Sequence, residues 1–323
     1  MHSKIIVSAP GKIHFMGEHA VVYGMPALLS SINLRLTVHI EPTRGKKDIM
    51  ITSGSSSYIK KAIVITKKAL AVTDAAPFQM TVTSDIPSGY HLGSSAAVAA
   101  AVVGALMQYW TGKFDKETIN TIAYEIEKVA HGNPSGGDNT TVAYGGFVLF
   151  QKKSETEKTF EQLSFPFPPA LNHFFLINTG KPESTKEMVA LVRSRVDEDT
   201  ARMQLVFNTN HMATTMMIKA LEDANEQMLL AGLRVGEKTL EDMGVVSEKV
   251  KSFISAIEKF GGAAKILGGG GRKDGVGYIL CYVHKEHTNK KNEIEGLLRQ
   301  HSYTLQEIRL GEEGVRVEEM YNV

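Results

Sequence analysis

Runs of alternating apolar and polar residues open the chain. Lys4–Ala9, Asn33–Ile40 and Phe78–Ile86 are rich in Val, Ile, Leu, Thr and Phe and predict strands. Tyr58–Val72 sets Ile59, Ala62, Ile63, Thr66 and Leu70 along one side at helical spacing. Ser94–Trp110 and Asp115–His131 predict two further helices. A Gly/Pro/Ser loop over His131–Asp138 leads to a strand-like Tyr144–Gln151. Polar Lys152–Glu161 and the chain breaks of Pro166–Pro169 mark the best boundary, dividing the chain into 1–168 and 169–323. Beyond it, His173–Asn178 and Tyr278–His284 predict strands. Ser184–Arg195, one long region from Asp199 to about Leu233, Glu237–Gly244, Ser247–Phe260 and Lys291–His301 predict helices. Gly261–Gly277 is Gly-rich, and a strand-like run ends the chain. No internal repeat is visible, and the mixture reads as α+β, not as regular βαβ units.

Composition narrows the classes. A length of 323 residues allows two domains, and 43% hydrophobic with 22% charged residues is typical of a soluble globular protein. The balance of 36 basic and 35 acidic residues gives no global pull toward nucleic acid or membrane. The one cysteine, Cys281, rules out an intrachain disulfide and a cysteine-rich zinc site. It suits a reducing compartment. With no secretory signal and no apolar run of spanning length, the expected location is cytoplasmic. Cys281 is expected to be buried and inert, and Met212–Met217 to fill a helix core. His284 and His287 are expected on a solvated surface. The sequon Asn139-Thr140-Thr141 carries no weight without a secretion signal.

Five segments carry candidate chemistry. In Asp85–Ala97, a turn of Pro, Ser and Gly precedes Ser94 and Ser95 at the start of an alanine-rich helix. Serine favours helix N-caps, and a helix start is a good anion site. The segment lacks the Gly-Lys-Ser/Thr of a Walker A loop and the Gly-x-Gly-x-x-Gly dinucleotide spacing. An ordinary capped helix is the competing reading. In Ala9–Pro26, Lys12 follows a Pro-Gly turn expected at a strand end, and Glu18 and His19 follow Gly17. This set suits an anionic substrate, or else a polar hairpin connection. In Glu127–Asp138, Glu127 and His131 share a helical face, and Asp138 is expected just before a strand. Asp138 could accept a proton, and Glu127 could offer a hard oxygen to Mg²⁺. Gly268–Gly271 lets the backbone approach a ligand closely. Thr179–Thr185 is a polar turn near a strand end.

Together and in this order, these motifs resemble the GHMP kinase superfamily, within it the branch that phosphorylates mevalonate. PGKIHFMGEHAVVYGMPAL resembles the first family motif, IPSGYHLGSSAA the phosphate loop, and KILGGGGRKDGVGY the third, Gly-rich motif. HGNPSGGDN discriminates most, and TGKPESTKEMV resembles the segment that completes the acceptor pocket. The resemblance implies a two-domain fold: a ribosomal-S5-like N-terminal domain, a ferredoxin-like C-terminal domain, and an active site in the cleft. It implies transfer of the ATP γ-phosphoryl group to the C5 hydroxyl of (R)-mevalonate. Asp138 would be the general base or the group orienting that hydroxyl. Lys12 would pair with Asp138, hold its carboxyl below the usual range and stabilise the transferring phosphoryl group. Pro87, Ser88, Gly89, Tyr90, His91, Leu92, Gly93, Ser94 and Ser95 would form the ATP site. Ser95 and Glu127 would ligate Mg²⁺, with Ser94 the alternative serine. Glu18, His19 and Thr185 would face mevalonate, and Gly269, Gly270 and Gly271 would close over the reacting centre. A homodimer follows only by analogy.

The sequence also departs from the family. Tyr90 and His91 replace small residues in the phosphate loop. If a loop glycine there needs positive φ, His91 must adopt it at a cost of about 1 kcal/mol. Val98 stands where some members have an aromatic residue, and Glu183 where some have Arg. Phosphomevalonate, the mevalonate 3-hydroxyl or a sugar therefore stay open as acceptors, with Lys181, Lys186 and Arg193 available for an extra phosphate. A catalytically silent ligand-binding member also stays open, although Lys12, Ser95, Glu127 and Asp138 argue against it.

Overall fold

The fold was obtained as a computed structural model, which describes residues 3–43, 45, 47–52, 56–132, 134–154, 157–283 and 291–322. Asn133, His284 and His287 lie outside the described residues. The chain divides into two units. One comprises Met1–Lys12, Ser30–Val148 and Gly311–Val323; the other comprises Ile13–Leu29 and Leu149–Leu310. This division is not linear along the chain, unlike 1–168 and 169–323. The long strands β1 (Ser3–Met16) and β2 (Ala27–Pro42) and the strand β5 (Phe147–Lys152) each pass from one unit to the other. The polar stretch around residue 158 is no linker: β6 (Lys158–Leu163) pairs with β5.

In the first unit, β2 pairs antiparallel with β4 (Phe78–Ser84), and β3 (Ile49–Thr52) pairs parallel with β4. β11 (Arg316–Asn322) returns from the far end of the sequence to pair with β1, giving the order β11-β1-β2-β4-β3. Strand alternation is visible in β2, where Leu34, Leu36, Val38 and Ile40 are buried and the residues between them are half-buried. Arg35, on the other face, donates to the carbonyls of Ser8, Glu313 and Gly314, which secures the returning segment. The helices are α1 (Ser56–Ala69), α2 (Ser94–Thr111), α3 (Lys116–His131) and α4 (Gly137–Tyr144). α2 is apolar nearly all round and is packed against α1, α3 and α4, as such a helix must be to stay out of water. Its alanines permit close approach, and Gly104 leaves room for Phe114, which a Cβ would meet at 3.0 Å.

The second unit holds β7 (Phe174–Asn178), β8 (Ala263–Ile266), β9 (Tyr278–Tyr282) and β10 (Thr304–Ile308), with order β10-β7-β9-β8 and every pair antiparallel. With helices after β7 and between β9 and β10, this is the ferredoxin-like arrangement. Its helices are α5 (Thr185–Glu198), α6 (Thr200–Glu222), α7 (Glu226–Met243), α8 (Glu248–Lys259) and α9 (Lys291–His301). The long helical region expected from Asp199 is two helices. Ala224 turns the chain at φ 50, and Asn225 caps α7 by accepting from Met228 N–H. Glu237–Gly244 is the end of α7, not a separate helix. The Gly-rich stretch contains β8, whose four residues are all buried. Cys281 is buried in β9 and its thiol is pushed up to about 12 by burial. Met217 is buried, but Met212 is exposed on the outer side of α6, so only part of the methionine cluster fills core.

Candidate active site

Lys12 does not follow a turn. β1 runs straight through Pro10 and Gly11, because Gly11 lies against the segment before α2: a Cβ would sit 3.0 Å from the Leu92 carbonyl. The Lys12 N–H donates to that carbonyl at 2.9 Å. The side chain is buried, and its Nζ reaches Asp138 Oδ1 at 2.8 Å. Asp138 in turn occupies the first turn of α4, where a carboxylate suits the helix dipole. The sequence places Asp138 at the end of a loop just before a strand, but a helix intervenes and the strand, β5, begins only at Phe147. GDNTTVAY has poor helix propensity, and α4 forms because Asn139, Thr140, Thr141, Val142 and Ala143 are buried.

The turn before α2 ends at Gly93, which caps the helix at φ 77 without a side-chain hydrogen bond. The expected serine cap is therefore absent: Ser94 and Ser95 are the first helical residues. The first intrahelical bond is Ala97 N–H to Gly93 carbonyl. The N–H groups of Ser94, Ser95 and Ala96 thus have no acceptor within the helix. His91 does adopt the left-handed conformation, at φ 62.

The freed Ser95 hydroxyl works elsewhere. It donates to Glu127 Oε2 at 3.1 Å and lies 3.2 Å from His131 Nε2. Tyr58 donates its hydroxyl to Glu127 Oε1 at 2.5 Å. Burial pushes the Glu127 carboxyl above its usual range, and the Tyr58 hydrogen bond, His131 and Ser95 pull it back. Tyr58 was missed from sequence, where it is one aromatic residue in an amphipathic helix. A cavity of about 530 Å³ opens over this helix start, lined by Pro87–Gly89, His91–Ser95, Glu127, His131, Pro134–Gly136, Asp138 and Asn139. Tyr90 is half-buried and is not part of that lining.

The second unit carries the other expected residues. His19 sits at φ 58 before a short 3-10 turn (Ala20–Tyr23), with Nε2 3.1 Å from the Gly269 carbonyl. A carbonyl only accepts, so Nε2 carries the proton. Burial holds the imidazole below its usual pKa, which favours the neutral ring. Glu18, expected to face the acceptor, is buried and ion-paired with Lys265 of β8. Lys265 opens the motif KILGGGGRKDGVGY, but the sequence reading gives it no role; its signal is a lone charge inside the apolar run AAKIL.

Gly268–Gly271 is held firmly. Gly270 has φ 77, and a Cβ there would lie 2.2 Å from the Val245 carbonyl, which also accepts from Gly271 N–H at 2.9 Å. At Gly269 a Cβ would meet the Thr185 Cα at 3.2 Å, which puts Thr185, Gly269 and His19 together. Glu183, a departure from the family pattern, accepts the N–H groups of Arg272 and Lys273 and fixes the end of this turn.

Residues 57–146 match the GHMP kinases N terminal domain. In fold and site the protein is thus a small-molecule kinase of the GHMP class. Mevalonate kinase from Pyrococcus furiosus is 30% identical over 352 residues, covering 98% of this chain and 99% of its own. Mevalonate kinase from Archaeoglobus fulgidus is 32% identical over 276 residues, covering 83% and 89%. The fold matches the crystal structure of L. major mevalonate kinase in complex with R-mevalonate with a TM-score of 0.80 over 96% of each chain, at 19% identity. The chain belongs to the mevalonate kinase family.

Proposed function

We propose that this chain transfers the γ-phosphoryl group of ATP to the C5 hydroxyl of (R)-mevalonate, giving mevalonate 5-phosphate and ADP. The observation that carries the reading is the buried Lys12 reaching Asp138 at 2.8 Å, with Asp138 on the rim of a cavity over a helix start. Full-length relatives named mevalonate kinases support the choice of acceptor.

The free N–H groups at the start of α2 and the loop Pro87–Ser95 hold the ATP phosphates. Asp138 orients the acceptor hydroxyl and takes its proton as the new O–P bond forms and the bond to the ADP oxygen breaks. Lys12 keeps Asp138 ionised and offsets charge on the phosphoryl group in flight. A largely dissociative transition state lets the proton leave the hydroxyl late, so Asp138 acts first by orientation. Oxygen donors from Ser95 and Glu127, 3.1 Å apart, fit Mg²⁺, which prefers one or two carboxylates completed by phosphates and water. Bound there, the ion would neutralise phosphate charge. His19 hydrogen-bonds the polar groups of mevalonate, with Thr185 and Gly269–Gly271 beside it, and Glu18 acts from behind through its ion pair. A cytoplasmic location and a homodimer complete the reading.

The test is an ATP assay against mevalonate, phosphomevalonate, galactose and homoserine, with ³¹P NMR locating the new phosphate. Mevalonate 5-phosphate as sole product supports the proposal; no turnover of mevalonate overturns it.

A further inference from the structure

Three buried charged side chains, Glu18, Lys265 and Glu237, are linked through β8 to the segment that carries His19. Lys265 has no exposed surface; its Nζ contacts Glu18 and donates to the Ile266 carbonyl at 2.8 Å and the His14 carbonyl at 3.4 Å. One residue on, the Ile266 N–H donates to Glu237 Oε2 at 2.8 Å. Glu237 stands on α7 and is buried, and its Oε1 has no partner among the described residues; nor does Glu18 Oε2. One buried cation is therefore ion-paired with one buried carboxylate and within electrostatic reach of a second, held one residue away on the Ile266 N–H. Such a group is satisfied when one carboxylate is ionised and the other protonated; two negative charges on one ammonium leave a buried charge uncompensated.

The cluster is joined to the acceptor side by short covalent paths. Glu18 precedes His19, and Lys265 lies four residues before Gly269. The two segments are clasped twice, by Glu18 with Lys265 and by His19 with Gly269. Gly236, next to Glu237, leaves no space for a side chain: a Cβ would meet Met16 Sδ at 2.3 Å. α7 is thus pressed onto the strand that leads to Glu18 and His19.

We propose that Glu237 is a positioning residue for the mevalonate side of the site, acting through Lys265 and Glu18 to hold the clasp between His19 and Gly269. It touches no substrate. A neutral Glu237 leaves Lys265 wholly to Glu18; an ionised Glu237 competes for it and loosens the clasp. Burial pushes the Glu237 carboxyl up to about 8, with the Ile266 N–H and Lys265 pulling it down and Glu241 and Glu18 pushing it further up. From β8 it faces Lys265, and from the segment before the 3-10 turn, Glu18. Glu237 also borders a cavity of about 560 Å³ between α7 and α8, lined on its own helix by Arg234, Lys238 and Glu241 and on α8 by Lys251, Glu258 and Lys259.

The inference rests on mevalonate being the acceptor. The test compares wild type with Glu237→Gln, which keeps an oxygen for the Ile266 N–H but cannot ionise. In wild type, KM for mevalonate should rise by roughly tenfold as pH climbs through 8, the scale expected of a slight misplacement, while KM for ATP stays level. In Glu237→Gln the mevalonate limb should be absent. A limb of equal size in the variant, or one that appears in KM for ATP instead, overturns the inference. Should Glu237→Gln fold poorly, Glu18→Gln serves as the second variant. It removes the ionised carboxylate of the pair, and should raise KM for mevalonate at all pH values and leave KM for ATP unchanged; unchanged KM for mevalonate would refute the proposal. If wild type does not phosphorylate mevalonate at all, the proposed function fails first, and the two failures are told apart.

Discussion

Gly89 and Gly93 lie four residues apart in the turn before α2, both with positive φ, at 84 and 77. They differ in what surrounds them. A Cβ at Gly89 meets nothing within 4 Å, whereas at Gly93 it would lie 2.7 Å from Lys12 Cγ and 3.3 Å from Lys12 N. Gly89→Ala therefore adds only a left-handed alanine, about 1–2 kcal/mol. Gly93→Ala adds the same strain and an overlap with the root of a buried side chain, for a further ~1–3 kcal/mol. Cγ cannot swing away as a lysine tip could, because Nζ is engaged with Asp138. Gly93→Ala should then also displace the ammonium from the reacting centre, and a shift of about 1 Å there costs on the order of 100-fold in turnover. Denaturant unfolding of both variants gives the stability difference from the midpoints, provided the slope m is unchanged. Steady-state kinetics with ATP and mevalonate give kcat. Equal stability loss in the two variants, together with equal kcat, would refute the packing of Lys12 against Gly93 as a catalytic constraint.

Other expectations follow from the same geometry. Asp138→Asn should lower kcat by about 10²–10⁴-fold, the range for a positioned proton acceptor; near-normal turnover would remove Asp138 from that role. Tyr58→Phe takes a hydrogen bond from a buried carboxylate and should cost ~1.5–3 kcal/mol where Glu127 is ionised, and less in acid, because Tyr58 pulls the raised Glu127 carboxyl down. Urea midpoints followed from acid to alkaline pH check this, and a pH-independent loss would contradict it. Glu237 has its folded pKa raised to about 8 from 4.5, so its stabilising contribution is complete below 4.5 and is lost as pH rises through 8. Glu237→Gln should flatten that part of the stability profile; parallel profiles would show that the carboxyl does not titrate there. Replacing Tyr90-His91 by Ala-Gly relieves the strain at φ 62 but adds the ~0.5–1 kcal/mol entropic cost of glycine, so stability should barely move while the kinetics with ATP and GTP change. Unchanged kinetics with both nucleotides would remove these side chains from nucleotide selection.

What the sequence determined by itself was local and ordered along the chain. Val/Ile-rich alternation marked β2 and β4, helical spacing marked α1 and α3, and the order of five motifs pointed to a kinase of this class. Motif residues near in sequence, such as Glu127 and His131, could be paired from helical spacing alone. What only the tertiary structure decided rests on partners far apart in the chain. α4 exists because burial overrides a poor helical sequence, and it is this helix that brings Asp138 to Lys12, 126 residues away. β1 stays extended through Pro10 and Gly11 because the Leu92 carbonyl takes the Lys12 N–H. The interleaved units arise because β11, at the end of the sequence, pairs with β1 at its start. Tyr58 and Glu237 lie outside the motifs, and Lys265 opens the Gly-rich one without a local cue to its role, since each acts by burial against a residue tens or hundreds of positions distant. Hydrogen bonding and desolvation depend on distance in space, and propensity and periodicity report only on neighbours along the chain.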